Sequence, residues 1–168
     1  NQTWYAYYDS EDKLQTATAY SYDEFGRRIL VTNYDENKEV TGSTGYEYNE
    51  AGLKVKELDY NADGEMYQYE KYEYHEAGFK VKEFTYSADE DFYGGYEYTY
   101  HSNGRQASQT YYNYNGVKRW TYYYNEYGTI TEEWNFSYSW NGSTGGYTLS
   151  EYTVIQYEGG KEKTETTY

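Results

Sequence analysis

Three groups of residues in this chain have types and spacings that suggest chemistry. The first is Asp59, Asn61, Asp63, Gly64 and Glu70, which match the D-x-N-x-D-G-x5-E pattern of an EF-hand calcium loop, where oxygen ligands at alternate positions wrap a hard cation. That motif works between two helices, and here the flanking segments alternate as strands do. Asn61 to Gly64 therefore reads as a tight turn, and no metal is assigned. The second group is His75 and His101, the two histidines. They stand one repeat apart, with no pattern of further ligands or of a nucleophile, and read as turn residues rather than as ligands or general bases. Paired carboxylates of the glycosidase kind are not singled out among so many Asp and Glu.

The third group is aromatic. Residues 111 to 140 hold 12 aromatics in 30 positions, including Trp120, Trp134 and Trp140, three of the four tryptophans. Trp120, Tyr122 and Tyr124 alternate along one strand and so share a face. If the turn Asn125 to Gly128 pairs Tyr124 with Thr129, that face meets Thr131 and Glu133 on one side. If the turn Asn113 to Gly116 pairs Tyr112 with Val117, its other neighbours include Arg105 and Gln109. Rings flanked by polar side chains suit a stacking platform, and these seven residues form the candidate binding site. The competing reading is that the rings continue a core stripe.

These groups ride on a repeat. Gly26, Gly52, Gly78 and Gly104 follow one another at 26 residues and Gly128 at 24. Tyr22, Tyr48, Tyr74, Tyr100 and Tyr124 stand four residues before them, and Tyr20, Tyr46, Tyr72, Tyr98 and Tyr122 six before. Self-similarity at a fixed period marks a repeat architecture. Each glycine closes a four-residue segment opened by Asp23, Asn49, His75, His101 or Asn125, which is type I turn chemistry with a positive φ at the last position. A second series of turns opens at Asp35, Asn61, Ser87 and Asn113. With one strand per turn, the chain is expected to be all-β: tandem β-hairpin repeats in an antiparallel meander of about thirteen strands, forming one domain over 1–168. So many twisted strands predict a curled or superhelical sheet. Large residues such as Phe79, Val81, Phe84 and Tyr86 change their two-residue phase mid-strand. Either each strand carries a mid-point bulge or its two halves feed opposite faces.

Composition narrows the function. Leu, Ile, Val and Phe supply only 19 of 168 residues, a poverty that would signal disorder were there not 30 tyrosines to bury ring surface in strands. With 29 acidic against 14 basic residues, the net charge of −15 repels phosphate backbones, so nucleic acid is not expected as a partner. Cysteine is absent, which excludes disulfides, Cys-bound metal and thiol catalysis, and no cofactor is implied. No apolar run approaches the ~20 residues of a membrane helix, and no membrane insertion is expected. The run Asn1 to Tyr8 has no charge, whereas Lys161 to Tyr168 alternates charge with threonine. An uncharged edge strand invites pairing, so the N-terminal edge is expected either to be covered by the chain or to be used by a partner strand, with self-association through another copy as one form of this.

The runs YSYDEFGR (Tyr20 to Arg27), YEYNEAGL (Tyr46 to Leu53), YEYHEAGF (Tyr72 to Phe79) and YTYHSNGR (Tyr98 to Arg105) resemble the YD repeats of bacterial RHS and teneurin-type proteins. The resemblance covers about five units. The Asp of the motif is kept only at Asp23, the period is longer than usual, and the chain is too short for the closed shell such families build. What the resemblance implies is a secreted or cell-envelope bacterial protein with a non-enzymatic role. The expectation is a non-catalytic binding or scaffold module at a bacterial surface, meeting protein or carbohydrate through displayed aromatics. A carbohydrate-binding module is the alternative, and an enzyme such as a glycoside hydrolase the least supported reading.

Overall fold

The computed structural model describes residues 2–142 and 145–168; Asn1, which opens the uncharged N-terminal run, lies outside them. Thirteen strands and no helix make up the described residues, so no helix among them is long and apolar enough to cross a membrane. In chain order they are β1 (Gln2–Tyr8), β2 (Leu14–Tyr22), β3 (Arg28–Tyr34), β4 (Val40–Tyr48), β5 (Lys54–Tyr60), β6 (Met66–Tyr74) and β7 (Lys80–Ser87). There follow β8 (Phe92–Tyr100), β9 (Gln106–Tyr112), β10 (Lys118–Tyr124), β11 (Ile130–Asn141), β12 (Gly146–Glu158) and β13 (Lys161–Thr167). Spatial order equals chain order, giving one open antiparallel sheet that is not closed into a barrel.

The turns lie where the sequence places them. At Asp9, Asp23, Asp35, Asn49, Asn61, His75, Ser87, His101, Asn113 and Asn125 the backbone N–H donates to the carbonyl four residues on, and the carbonyl accepts from the N–H three residues on. The third residue after each opener adopts a left-handed φ, +78° at both Gly26 and Gly52, for which glycine pays no Cβ clash. Asp12, Lys38 and Glu90 hold the same position at φ 58°, 65° and 68°. The opener's side chain also serves: Asn49 Oδ1 accepts from Leu53 N–H at 2.9 Å, and Asp23 Oδ1 from Arg27 N–H at 2.8 Å.

A second device follows the turns. Tyr48 faces Lys54 but Glu47 faces Lys56, so Val55 has no partner. The same skip leaves Ile29, Thr41, Tyr67, Ala107 and Thr131 unpaired, each the second residue of its strand. These bulges sit beside the turns and not at mid-strand, and they settle the phase question. Tyr69 lies opposite Leu58, and Tyr72, three residues on, points to the other face, where its hydroxyl reaches Glu57. The two strand halves feed opposite faces. The bulge also explains why Lys54 and Glu57, three apart, pair as an ion pair: the unpaired Val55 restores them to one face.

The backbone groups into two compact units, Asn1–Tyr72 with Thr85–Asp91, and Glu73–Phe84 with Phe92–Tyr168. In the first, large rings lie across small residues. Ala17 and Ala19 are each 3% exposed, Tyr34 lies opposite Ala17 and Trp4 opposite Ala19, and the two rings meet at 4.9 Å. In the second, rings stack on rings: Trp134 on Tyr152 at 5.6 Å and Tyr152 on Tyr168 at 4.9 Å. Thr121, 2% exposed, hydrogen-bonds Thr110 at 3.0 Å on the same face as Trp134. Among the described residues no large side chain is fully buried, so apolar area is covered sideways, neighbour by neighbour, without a second layer.

Candidate functional site

The seven candidate residues lie in the second unit. On β10, Trp120, Tyr122 and Tyr124 share a face, as alternation requires. Tyr122 sits between Gln109 on β9 and Glu133 on β11. Trp120, however, faces Tyr111 and Asn135 rather than Gln109 and Glu133. The simple register fails because two bulges intervene, at Arg119 toward β9 and at Thr131 toward β11. Thr131 is accordingly not opposite the ladder; its hydroxyl donates to the Tyr123 carbonyl at 3.3 Å. Arg105 lies in the turn before β9, with Nη1 donating to the Glu126 carbonyl at 3.4 Å.

The flanks are therefore more aromatic than polar on one side. Trp120 packs with Tyr122 at 4.8 Å, Tyr111 at 5.6 Å and Tyr96 at 5.9 Å, a half-buried cluster of four rings. Sequence reading missed Tyr96 and Tyr111, although Tyr96, Tyr98 and Tyr100 show the same alternation on β8. Arg105, Gln109 and Tyr124 come together with Gln106, Tyr127 and Gly128 around an open depression of about 460 Å³. Tyr127, at the tip of its turn, is 84% exposed.

The electrostatics centre on Glu133. Its Oε1 accepts from Asn135 Nδ2 at 2.9 Å and its Oε2 from the Tyr157 hydroxyl at 3.1 Å. Burial and then the Glu133 charge push the Tyr122 hydroxyl above its ordinary value, and burial followed by its hydrogen bond to Glu133 does so for Tyr157. Burial alone raises Tyr124. The charge set opposite Tyr122 is thus a carboxylate that accepts from neutral donors.

A second feature lies where the sequence was read as turns. His75, Phe79, Val81, Tyr98, Tyr100 and His101 line a groove of about 450 Å³ within the second unit. Phe79 stacks on Tyr100 at 4.9 Å, and the Tyr100 hydroxyl donates to the Lys80 carbonyl at 2.6 Å. Both imidazoles are engaged with backbone: His75 Nδ1 accepts from Ala77 N–H at 3.1 Å, and His101 Nε2–H donates to the Tyr124 carbonyl at 2.8 Å. His75 serves its turn as Asn61 does by accepting from Asp63 N–H, whereas His101 ties its turn to the next one in the second unit. Its place one period after His75 was the available signal.

The EF-hand match dissolves into a hairpin. Asp59 is on β5, where it accepts from Thr44 Oγ1 at 3.0 Å and Gln68 Nε2 at 2.9 Å. Asn61 and Asp63 belong to the turn, and Glu70 is on β6, opposite Glu57. Among the described residues no group of three or more His, Cys, Asp or Glu side chains is arranged to hold a metal ion.

No protein-family profile and no curated protein matches this sequence. Among solved structures, the chain is similar to TcdB2-TccC3 at 16% identity and a TM-score of 0.44, over 94% of this chain and 10% of that one. A TcdB2-TccC3-TEV structure gives 16% identity and a TM-score of 0.43, over 94% and 9%. A porin-like protein from Bacteroides uniformis gives 12% and 0.38, over 90% of this chain and 86% of that one. The chain spans about a tenth of the TcdB2-TccC3 chains it matches.

Proposed function

We propose that this chain is a non-catalytic binding or scaffold module of a bacterial surface, acting through aromatic side chains displayed on its hairpin sheet. The observation that carries this reading is the four-ring cluster of Tyr96, Tyr111, Trp120 and Tyr122, gathered on one face and flanked by Gln109, Glu133 and Asn135. Half-buried rings beside hydrogen-bonding groups offer both stacking area and orientation to a ligand. The turn motif around Tyr20 to Arg27 and its copies supports kinship with YD-repeat proteins, and with it a secreted or cell-envelope setting. Partner pairing at β1, where Trp4, Tyr5, Tyr7 and Tyr8 are exposed, belongs to the same reading.

Carbohydrate is the second reading, favoured by the depression that sets Arg105, Gln106 and Gln109 beside the Tyr124 and Tyr127 rings. Planar donors next to an exposed ring suit a sugar's hydroxyls and its apolar face. A glycan array and a panel of surface proteins, probed with the parent chain and with Trp120→Ala, test both readings. Expected is capture that Trp120→Ala abolishes at a stability cost of ~2 kcal/mol, below the ~3–5 kcal/mol of a fully buried Trp. No capture by the parent, together with the full core penalty, would make the rings structural and remove the site.

A further inference from the structure

The repeats differ in one place that bears on what the aromatic face takes. In the second repeat, Lys54 pairs with Glu57 while its ammonium lies 4.6 Å from the Tyr72 ring and 5.5 Å from the Tyr46 ring. The Tyr72 hydroxyl reaches the same carboxylate at 3.5 Å. In the third repeat Lys80 pairs with Glu83, its ammonium lies 5.5 Å from the Tyr98 ring, and the Tyr98 hydroxyl donates to Glu83 at 3.2 Å. Twice, then, the chain builds one recognition unit: an ammonium between a carboxylate and tyrosine rings.

Carried 26 residues on, the pair becomes Gln106 and Gln109; carried 24 further, it becomes Ile130 and Glu133. The fourth repeat has neither charge. The fifth keeps the carboxylate and both hydroxyl neighbours, Tyr122 beside Glu133 on β10 and Tyr157 donating at 3.1 Å, but replaces the lysine with isoleucine. Among the described residues no lysine or arginine pairs with Glu133, and its partners, Asn135 and Tyr157, are neutral. Of these two repeats that lack the lysine, only the fifth keeps the carboxylate that the lysine would complete. Neutral donors are weaker complements to a half-buried carboxylate than an ammonium is, and ring faces beside it add cation–π attraction.

We propose that Glu133, Tyr122 and Tyr157 form a site for a primary ammonium group supplied from outside, of the class carried by a lysine side chain of a partner protein. The internal template is the observation that points to this ligand: a carboxylate and two tyrosine rings hold the Lys54 ammonium, and a carboxylate and the Tyr98 ring hold that of Lys80. The net charge of −15 favours approach of a basic partner, while the site itself supplies the selectivity. This deepens the binding-module reading and rests on it.

The test uses blocked lysine, N-acetyl-lysine amide, and its Nε-acetylated form, titrated against the full chain with backbone resonances as the readout. Saturable binding is expected, weakened ~10-fold or more by Nε-acetylation and by Glu133→Gln, the size of one charge-assisted contact. Glu24→Gln, an exposed carboxylate in the first unit that changes net charge equally, is expected to stay within ~2-fold. Ile130→Lys restores the lysine of the earlier repeats, and it is expected to abolish binding and to raise the thermal midpoint. Equal binding of the acetylated compound, an unaffected Glu133→Gln, no saturable binding, or an Ile130→Lys chain that binds as before or loses stability would each overturn the proposal. If lysine fails while another ligand is captured in a Trp120-dependent way, the ammonium site falls and the binding module stands.

Discussion

The two units build the same hairpins and cover them differently. In the first, rings rest on small residues: Tyr60 reaches to 3.4 Å from where a Gly45 Cβ would stand, and Ala17 and Ala19 lie beside Tyr34 and Trp4. In the second, Trp120, Tyr122, Tyr111 and Tyr96 lean on one another, and Gly94 and Gly95 let backbone come within contact of Tyr112 and Glu83. The turns and post-turn bulges are alike in both. Face chemistry is thus free to vary once turns and bulges fix the register, and variation on the faces is where specificity can accumulate.

The largest expected break between the units is alkaline. Among tyrosines whose hydroxyls are pushed up, Tyr46 belongs to the first unit, and Tyr98, Tyr100, Tyr112, Tyr122, Tyr124, Tyr138 and Tyr157 to the second. Burial is the first cause in each, and at Tyr112, pushed up to about 12, a hydrogen bond to Glu97 adds to it. An unfolded tyrosine ionises near 10, so these groups contribute stability in full below pH 10 and lose it as pH rises toward their folded values. The second unit is expected to open first. Tyrosinate absorbance followed alongside the fluorescence of Trp120, Trp134 and Trp140 would show the two changing together, ahead of a probe at Trp4. A Trp4 signal that moved first would reverse the comparison.

Next in size is a pair of glycine substitutions. A Cβ at Gly95 would stand 2.2 Å from the Glu83 carbonyl oxygen, at a φ of +153°, and Gly95→Ala is expected to cost ~4 kcal/mol or more. At Gly45 the added carbon meets Tyr60 and Leu58 at ordinary contact distance, so Gly45→Ala should stay within ~1 kcal/mol of the parent. Chemical denaturation of both reads the difference, and equal losses would mean that close backbone approach does not distinguish the units.

The turns allow a finer comparison. Asn49→Ala removes the acceptor of Leu53 N–H and is expected to lower stability by ~1 kcal/mol. His101→Asn keeps turn chemistry while losing the link to the Tyr124 carbonyl, for an expected ~0.5 kcal/mol. A His101→Asn chain as stable as the parent would show that the cross-turn bond contributes nothing. Smallest is the Lys54–Glu57 coupling in a double-mutant cycle, ~0.5 kcal/mol at low salt and fading at high salt, since both side chains are about one-third exposed. Persistence at high salt would indicate a more sheltered pair.

Legibility followed range along the chain. The turn openers from Asp23 to Asn125 were readable because turn chemistry is local, and the strand count followed from them. The phase change in runs such as Phe79, Val81, Phe84 and Tyr86 was visible but not resolvable. A bulge adds a residue without leaving a residue type behind, as Val55, Tyr67 and Thr131 show. The same bulges moved Trp120 opposite Tyr111 and removed Thr131 from the ladder. The groove between Phe79 and Tyr100 was missed because it depends on two turns standing side by side, which no single turn encodes.

Each strand being hydrogen-bonded to its chain neighbours has a kinetic meaning. No pairing requires a loop longer than one hairpin to close, and each turn with its bulge sets the register before the strands zip. Relative contact order therefore falls as repeats are added, the reverse of the usual β-protein penalty, in which distant strands must find one another slowly. Such an array can begin folding at whichever hairpin forms first and propagate in both directions. Lengthening it by a repeat should leave the rate of the nucleating step almost unchanged.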